Sequence, residues 1–178
     1  YDRNREFITT ISPSMDILIS SNLERLLYLM CGENDALIRE WFSSLAKEGR
    51  YEVTDEIKAK LADEFAAGFC DDKATKDTIK KVYDKYSYTL DTHTAVAVKV
   101  YEDYRAETGD TTKTVIASTA SPYKFSASVL EAIDGNTFNI GEFEMIDRLA
   151  ELSGYEIPQS LAALKTKERR FKDIIARE

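Results

Sequence analysis

Apolar residues recur every three or four positions through most of the chain, which is the spacing of one face of an α-helix. Residues 33–88 show this spacing in successive runs and are predicted to be all-helical. Most runs begin at a residue whose side chain can cap a helix. The predicted starts of this kind are Ser21, Asn34, Thr54, Thr75, Asp91 and Ser121. Two more helices are predicted, from Phe143 to Gly154 and from Pro158 to the end of the chain, so helix is predicted to predominate.

Two short β-branched runs interrupt this helical pattern. Residues 7–11 and 114–119 are predicted to be buried strands, each ending in a hydroxyl-rich segment. Two strands do not form a stable sheet, and buried parallel strands normally lie among further strands. We therefore predict the α/β class with few parallel strands, as part of a larger protein, and the first residue, Tyr1 rather than Met, favours the same interpretation. The alternative is a mostly helical domain with a two-stranded accessory.

Composition excludes several classes of partner. Hydrophobic residues make up 43% and charged residues 31% of the chain, which is typical of a globular domain. The formal net charge of -8 is unfavourable for nucleic acid and for anionic lipid, so neither is predicted as a partner. No apolar run is long enough to span a bilayer, and a cytoplasmic location is predicted. Cys31 and Cys70 are predicted to be buried thiols rather than a disulfide or part of a zinc site.

Candidate chemistry lies in the two hydroxyl-rich segments and at one histidine. Residues 12–16 and 118–121 follow the predicted strands, and ligands of open α/β sheets bind beyond the carboxyl ends of strands. Ser121 is more typical of a helix cap, whereas Thr119, at the end of a strand, is predicted to face a ligand. His93, the single histidine, lies at a predicted helix N-terminus, where it either packs as a capping residue or faces a ligand. No metal site is predicted.

Three motifs carry a family resemblance. Residues 7–17 read FITTISPSMDI and are followed at 21–25 by SNLER; residues 91–97 read DTHTAVA, and residues 118–125 read STASPYKF. In this order and wording the motifs resemble the C-terminal part of bacterial threonine synthase. The resemblance extends from residue 7 to about residue 125, and the helices that follow carry no motif.

The resemblance implies a lyase that depends on pyridoxal phosphate, with the three-layer fold type II of tryptophan synthase β. Such an enzyme converts O-phosphohomoserine and water to threonine and phosphate. Residues 1–178 would form its C-terminal portion, with 33–88 as a helical insertion and 91–135 as a helix–strand–helix unit. The chain alone is expected to be inactive, and its partner would be the N-terminal part of the same enzyme.

The resemblance also places the lysine that forms the Schiff base with the cofactor. In the family it lies in an N-terminal F-K-D motif, and the cofactor phosphate binds a glycine-rich loop; neither is found here. Phe171, Lys172 and Asp173 repeat the three letters, but they follow the other motifs, so this match is predicted to be a coincidence. No catalytic residue is predicted in this chain.

Residue by residue, the motifs give six candidate site residues. Thr119 matches the hydroxyl that faces the pyridine nitrogen of the cofactor, and Ser118 is its neighbour. The family histidine of this motif is Ser121 here, so no role is predicted at that position. The candidates expected to lie near the substrate are Ser14, Asp16, Asn22 and His93.

Two other functions remain open at this point. One is an autonomous acidic helical module that binds protein partners without catalysis. The other is a sister enzyme with the same cofactor, such as a threonine or serine dehydratase, for which the motifs are less apt.

Overall fold

Helices account for all the regular secondary structure in the residues that the computed structural model describes, namely 1–135, 137, 139–168 and 170–171. Short 3₁₀ turns lie at Pro122–Phe125 and Ala163–Lys165. The helices are α1 (Ser21–Met30), α2 (Asp35–Glu48), α3 (Asp55–Glu64), α4 (Asp72–Tyr86), α5 (Thr92–Thr108), α6 (Ser126–Asp134), α7 (Glu142–Ser153) and α8 (Gln159–Ala162). The prediction that helix predominates is confirmed.

Side-chain caps at the helix N-termini follow the sequence in most cases. Asn34, Thr54 and Asp91 cap α2, α3 and α5, because each accepts hydrogen bonds from backbone N–H groups in the first turn. Ser121 likewise accepts from the N–H of Tyr123 at 3.3 Å and caps the 3₁₀ turn that leads into α6. These starts were predicted correctly.

Two predicted caps are wrong by a few residues. The hydroxyl of Ser20, not that of Ser21, accepts from the N–H of Leu23 at the start of α1. Helix α4 is capped by Asp71 instead of Thr75, because the carboxylate of Asp71 accepts from the N–H of Ala74 at 2.7 Å. Thr75 lies buried inside the first turn, where its hydroxyl donates to the carbonyl of Asp71. In both cases another residue with a capping side chain, slightly earlier in the chain, occupies the N-cap position.

The two predicted buried strands are not formed in the described part of the chain. The one β contact there is an isolated antiparallel bridge between Asp2 and Arg50. Residues 7–11 and 114–119 have no regular structure, and Ile8 and Val115 are 67% and 91% exposed. A strand needs a hydrogen-bonded neighbour, and these two segments do not pair with each other or with another described segment. The helix–strand–helix unit predicted for 91–135 therefore has an unpaired middle segment.

The apolar faces of the helices form two hydrophobic clusters. The first cluster joins α1, α2 and α3, and its buried members are Leu27, Ile38, Trp41, Leu45, Tyr51 and Ile57. The second cluster joins α4 to α7, with buried members Ile79, Val82, Leu90, Ala95, Tyr123, Val129, Ile133, Ile146 and Leu149. The most extensive helix packing is α4 with α5, α4 with α6 and α6 with α7, all within the second cluster.

The remaining sequence predictions concern thiols and the end of the chain. Cys31 and Cys70 are free, but both are only half-buried, so the prediction of buried thiols is wrong. Lys172 and Asp173 lie outside the described residues. Of the helix predicted from Pro158 to the end of the chain, the described residues form only Gln159–Ala162 and the 3₁₀ turn Ala163–Lys165, while residues 169 and 172–178 lie outside the described part. In the described ranges no helix is long and apolar enough to cross a membrane.

Candidate functional site

The N-terminus of α5 is the point at which the three motifs meet. Asp91 caps this helix: its Oδ1 accepts from the N–H of His93 at 2.8 Å and from the N–H of Thr94 at 3.2 Å. The hydroxyl of Thr94 donates to the other carboxylate oxygen of Asp91. The residues 91–94 are all buried. The carboxylate therefore offsets the positive end of the helix dipole and holds the first turn rigid.

His93 joins the first motif to this turn. Its ring is 4% exposed, and its Nε2 accepts a hydrogen bond from the backbone N–H of Ser14 at 3.0 Å. Because Nε2 is an acceptor, the ring is neutral and its proton lies on Nδ1. Nδ1 is 3.4 Å from Oδ1 of Asp91 and 3.5 Å from the hydroxyl of Thr92. Both ring nitrogens are thus engaged within the chain.

The loop of residues 12–16, which lies within the first motif, is closed by hydrogen bonds between Asp16 and Thr10. The carboxylate of Asp16 accepts from the N–H of Thr10 at 2.6 Å and from the hydroxyl of Thr10 at 2.8 Å. The N–H of Ile11 donates to Asp72 at 3.0 Å, which ties the loop to the start of α4. The side chain of Asp16 therefore has a structural partner, Thr10, just before the loop.

Two serine hydroxyls of this loop have no hydrogen-bond partner among the described residues. Ser12 is 2% exposed, and its Oγ is both buried and unpaired. Ser14 is exposed, and only its backbone N–H is held, by His93. The hydroxyl of Ser14 is consequently free to meet a molecule at the surface.

The third motif contacts the same helix one residue further along. The hydroxyls of Thr94 and Ser118 lie 3.2 Å apart. Because the single proton of the Thr94 hydroxyl is directed at Asp91, the Ser118 hydroxyl supplies the proton of this contact. Thr119 follows directly, is exposed, and makes no side-chain hydrogen bond within the described chain. Ser118 is therefore anchored, while Thr119 presents a free hydroxyl.

Not all of the six candidates come together. Ser14, His93 and Ser118 meet at α5 through direct hydrogen bonds, and Asp16 and Thr119 are close to them in the chain. Asn22 is exposed on α1, where its side chain accepts from Arg25. Among the described residues, no hydrogen bond joins the side chain of Asn22 to the start of α5.

Sequence reasoning missed Asp72 and the unpaired hydroxyl of Ser12. Asp72 lies 61 residues from Ile11, whose N–H it accepts, and no local pattern signals such a pairing. Ser12 belongs to the predicted hydroxyl-rich segment 12–16, but no local pattern signals that its hydroxyl is buried without a partner. In chemical terms the site presents hydroxyl groups around a capped helix start.

Comparisons with known proteins show which proteins this chain is similar to. The family described as threonine synthase, C-terminal, matches residues 94–177. Threonine synthase of Saccharomyces cerevisiae is 33% identical over 188 aligned residues, which cover 98% of this chain and 34% of the yeast protein. The chain is therefore related to the C-terminal part of the threonine synthases, as its motifs predicted.

Solved structures agree with the sequence matches. The crystal structure of threonine synthase from yeast aligns with a TM-score of 0.76 and 31% identity, over 96% of this chain and 34% of that one. The PLP-bound threonine synthase from Brucella melitensis aligns with a TM-score of 0.66 and 33% identity, over 85% of this chain and 31% of that one. The chain spans about a third of the length of these relatives.

Proposed function

We propose that this chain forms the C-terminal part of a threonine synthase, a pyridoxal-phosphate-dependent lyase that converts O-phosphohomoserine and water to threonine and phosphate. The observation that carries the proposal is the meeting of the three motifs at the start of α5, in a chain that aligns with threonine synthases over 98% of its length. The alternative of an autonomous interaction module has no support among the matched proteins. A cytoplasmic location remains a prediction from composition.

Pyridoxal phosphate fits the residues that this chain supplies. The Brucella relative is described as PLP-bound, and pyridoxal phosphate, when present, withdraws electrons from the substrate carbons. The hydroxyl of Thr119 is exposed and unpaired within the described chain. It suits a pyridine nitrogen that stays largely unprotonated, because a neutral hydroxyl can donate a hydrogen bond to this nitrogen without transferring its proton. Ser118, held against Thr94, fixes the backbone beside it. We assign Thr119 and Ser118 to the cofactor on this basis.

The substrate is expected on the side of the 12–16 loop. Ser14 offers a free hydroxyl there, and Asp16 keeps the loop closed through Thr10. His93 lies between this loop and α5. Asn22 stays a candidate from the motif alone. The lysine that forms the Schiff base is proposed to lie in the N-terminal part of the enzyme.

The N-terminal part of the same enzyme is the proposed partner. Residues 7–19 and Val115 present large apolar side chains to solvent, and exposed apolar surface of this kind is typical of a region that another unit covers. The exposed residues are Phe7, Ile8, Met15, Ile17, Ile19 and Val115. Further strands pairing with 7–11 and 114–119, covered by helices on both faces, would bury Phe7, Ile8 and Val115 and give the three-layer fold that the resemblance implies.

Substitution of Thr119 in the complete enzyme tests the function and the cofactor assignment together. Thr119→Val keeps the shape of the side chain but removes the hydroxyl, so we expect the cofactor to bind while kcat falls. The loss should be on the order of 30- to 1,000-fold, by analogy with deletion of a hydrogen bond to a reacting group. Thr119→Ser is the matched control, because it retains the hydroxyl and should lose much less.

Three outcomes would contradict this proposal. If Thr119→Val turns over at the rate of the parent while Ser118→Ala is severely impaired, Ser118 is the partner of the cofactor. If neither substitution changes kcat, the site lies elsewhere. Absence of phosphate release from O-phosphohomoserine by the unmodified enzyme would overturn the function itself.

A further inference from the structure

His93 has no ring nitrogen left for a ligand. Nε2 accepts from Ser14, and Nδ1 lies inside the buried turn, 3.4 Å from Oδ1 of Asp91 and 3.5 Å from the hydroxyl of Thr92. The ring also packs on Phe125, with 4.7 Å between the ring centroids. We propose that His93 is a positioning residue, which holds the 12–16 loop against α5 so that Ser14 contacts the substrate. This inference rests on the proposed function.

Among the described residues, the hydrogen-bond partner of the backbone N–H of Ser14 is the ring of His93. Its neighbours in the loop are held locally, since the N–H of Met15 donates to the carbonyl of Ser12 at 2.9 Å and that of Asp16 to the carbonyl of Pro13 at 3.2 Å. The N–H of Ser14 instead crosses to a residue 79 positions away in the sequence. The imidazole therefore fixes the part of the loop that carries the free hydroxyl.

Consecutive residues of α5 then hold the two hydroxyl-bearing segments of the proposed site. His93 holds Ser14, and Thr94 holds Ser118 beside Thr119. Because both contacts start from one rigid, buried helix turn, a shift at His93 would move the Ser14 hydroxyl relative to Thr119. The expected consequence of losing His93 is weaker substrate binding, with little change at the cofactor.

Amide substitutions of His93 separate the two ring nitrogens. The side-chain oxygen of Gln can take the place of Nε2, so His93→Gln keeps an acceptor for the N–H of Ser14. The shorter side chain of Asn reaches only the position of Nδ1, so His93→Asn loses the contact with Ser14. The complete enzyme carrying each variant is compared by amide hydrogen exchange of the peptide that covers residues 12–16, by KM and by kcat.

The exchange of this peptide in His93→Asn should rise on the order of 5- to 10-fold, which corresponds to one lost hydrogen bond. KM for O-phosphohomoserine should rise by a similar factor, with a smaller change in kcat. His93→Gln should restore both quantities towards the parent. Ser14→Ala keeps the N–H but lacks the hydroxyl, so it should raise KM and leave the exchange unchanged.

Several outcomes would overturn the positioning role. A rise in KM for His93→Asn without faster exchange would show that His93 contacts the substrate directly. Faster exchange without a rise in KM would show that the loop does not position a substrate contact. If His93→Asn does not fold, Ser14→Ala still decides, since an unchanged KM excludes the contact that His93 is proposed to position. An enzyme that lacks the proposed activity altogether would instead contradict the function, and the exchange comparison would still report whether His93 holds the loop.

Discussion

Tyr51 lies at the centre of the first cluster, between the rings of Tyr1, Trp41 and Phe42. The side chain is buried, and burial, followed by the charges of Tyr1 and Glu24, raises the pKa of the Tyr51 hydroxyl to about 12. Burial acts in this direction because it disfavours the charged phenolate. A single side chain thus makes the first cluster sensitive to alkali.

The sign of this effect follows from the two pKa values. The unfolded chain loses the Tyr51 proton near pH 10, whereas the folded chain keeps it to about pH 12. The stabilisation is therefore complete below about pH 10 and is lost as the pH rises to about 12. We expect Tyr51→Phe to reduce the fall in unfolding free energy over this window, measured by urea denaturation at several pH values. Tyr86→Phe, at an exposed position on α4, is the control, and an equal effect of both substitutions would argue against the burial of Tyr51.

The backbone at the C-terminus of α2 shows how one element holds another. Gly49 follows α2 with φ of +79°, and its carbonyl accepts from the N–H of Arg3 at 2.8 Å. A Cβ at position 49 would lie 2.3 Å from Oδ1 of Asn4, closer than atoms can approach. The side chain of Asn4 in turn donates to the carbonyl of Glu48 at 3.2 Å. The start of the chain is thus fastened to the end of α2.

A pair of glycine substitutions separates backbone strain from this contact. Gly109 follows α5 with φ of +71°, and a Cβ there would meet no atom within 4 Å. Gly109→Ala should therefore cost about 1 to 2 kcal/mol of unfolding free energy through strain alone. Gly49→Ala should cost more, because Asn4 must also move, and Gly49→Ala combined with Asn4→Ala should approach the Gly109→Ala value. Urea denaturation measures all three; equal losses for the two single variants would exclude a role for Asn4.

At the scale of the whole molecule, the two hydrophobic clusters share no buried residue among the described residues. The first contains the chain's single tryptophan, Trp41, so tryptophan fluorescence reports on that cluster. Helix circular dichroism reports on both clusters. The segment between α3 and α4 carries Phe65 and Phe69 exposed to solvent, and it contributes no buried residue to either cluster.

Because the two clusters share no buried residue, we expect each to unfold in its own transition. Leu149 is fully buried in the second cluster, and Leu149→Ala should lower the unfolding free energy of that cluster by about 2 to 5 kcal/mol. We expect the circular dichroism midpoint in urea to fall while the Trp41 fluorescence midpoint stays close to that of the parent. Leu45→Ala, in the first cluster, should shift the fluorescence midpoint instead. Equal shifts of both signals in both variants would show that the clusters unfold as one unit.

The helices and most of their caps could be predicted from sequence because they depend on local interactions. The four-residue spacing of Leu37, Trp41 and Leu45 and the capping side chain of Asn34 lie within one short segment. The strand predictions failed for the opposite reason. A β-branched run such as residues 7–11 shows a preference for extended backbone, but pairing requires a neighbour that the run itself does not specify.

The sequence by itself therefore determined most of the helices, the single histidine as a candidate, and the three motifs with their family resemblance. Only the tertiary structure decided which of these residues meet. Ser14 and His93 are 79 positions apart, and Thr94 and Ser118 are 24 apart, so neither contact is visible in local spacing. Folding also buries the ring of His93 and hydrogen-bonds its Nε2 to Ser14. For this reason we propose that His93 supports Ser14, whereas the sequence predicted that it lies near the substrate. Local propensity is encoded over a few residues, whereas hydrogen-bond partners at these separations exist only after the chain has folded.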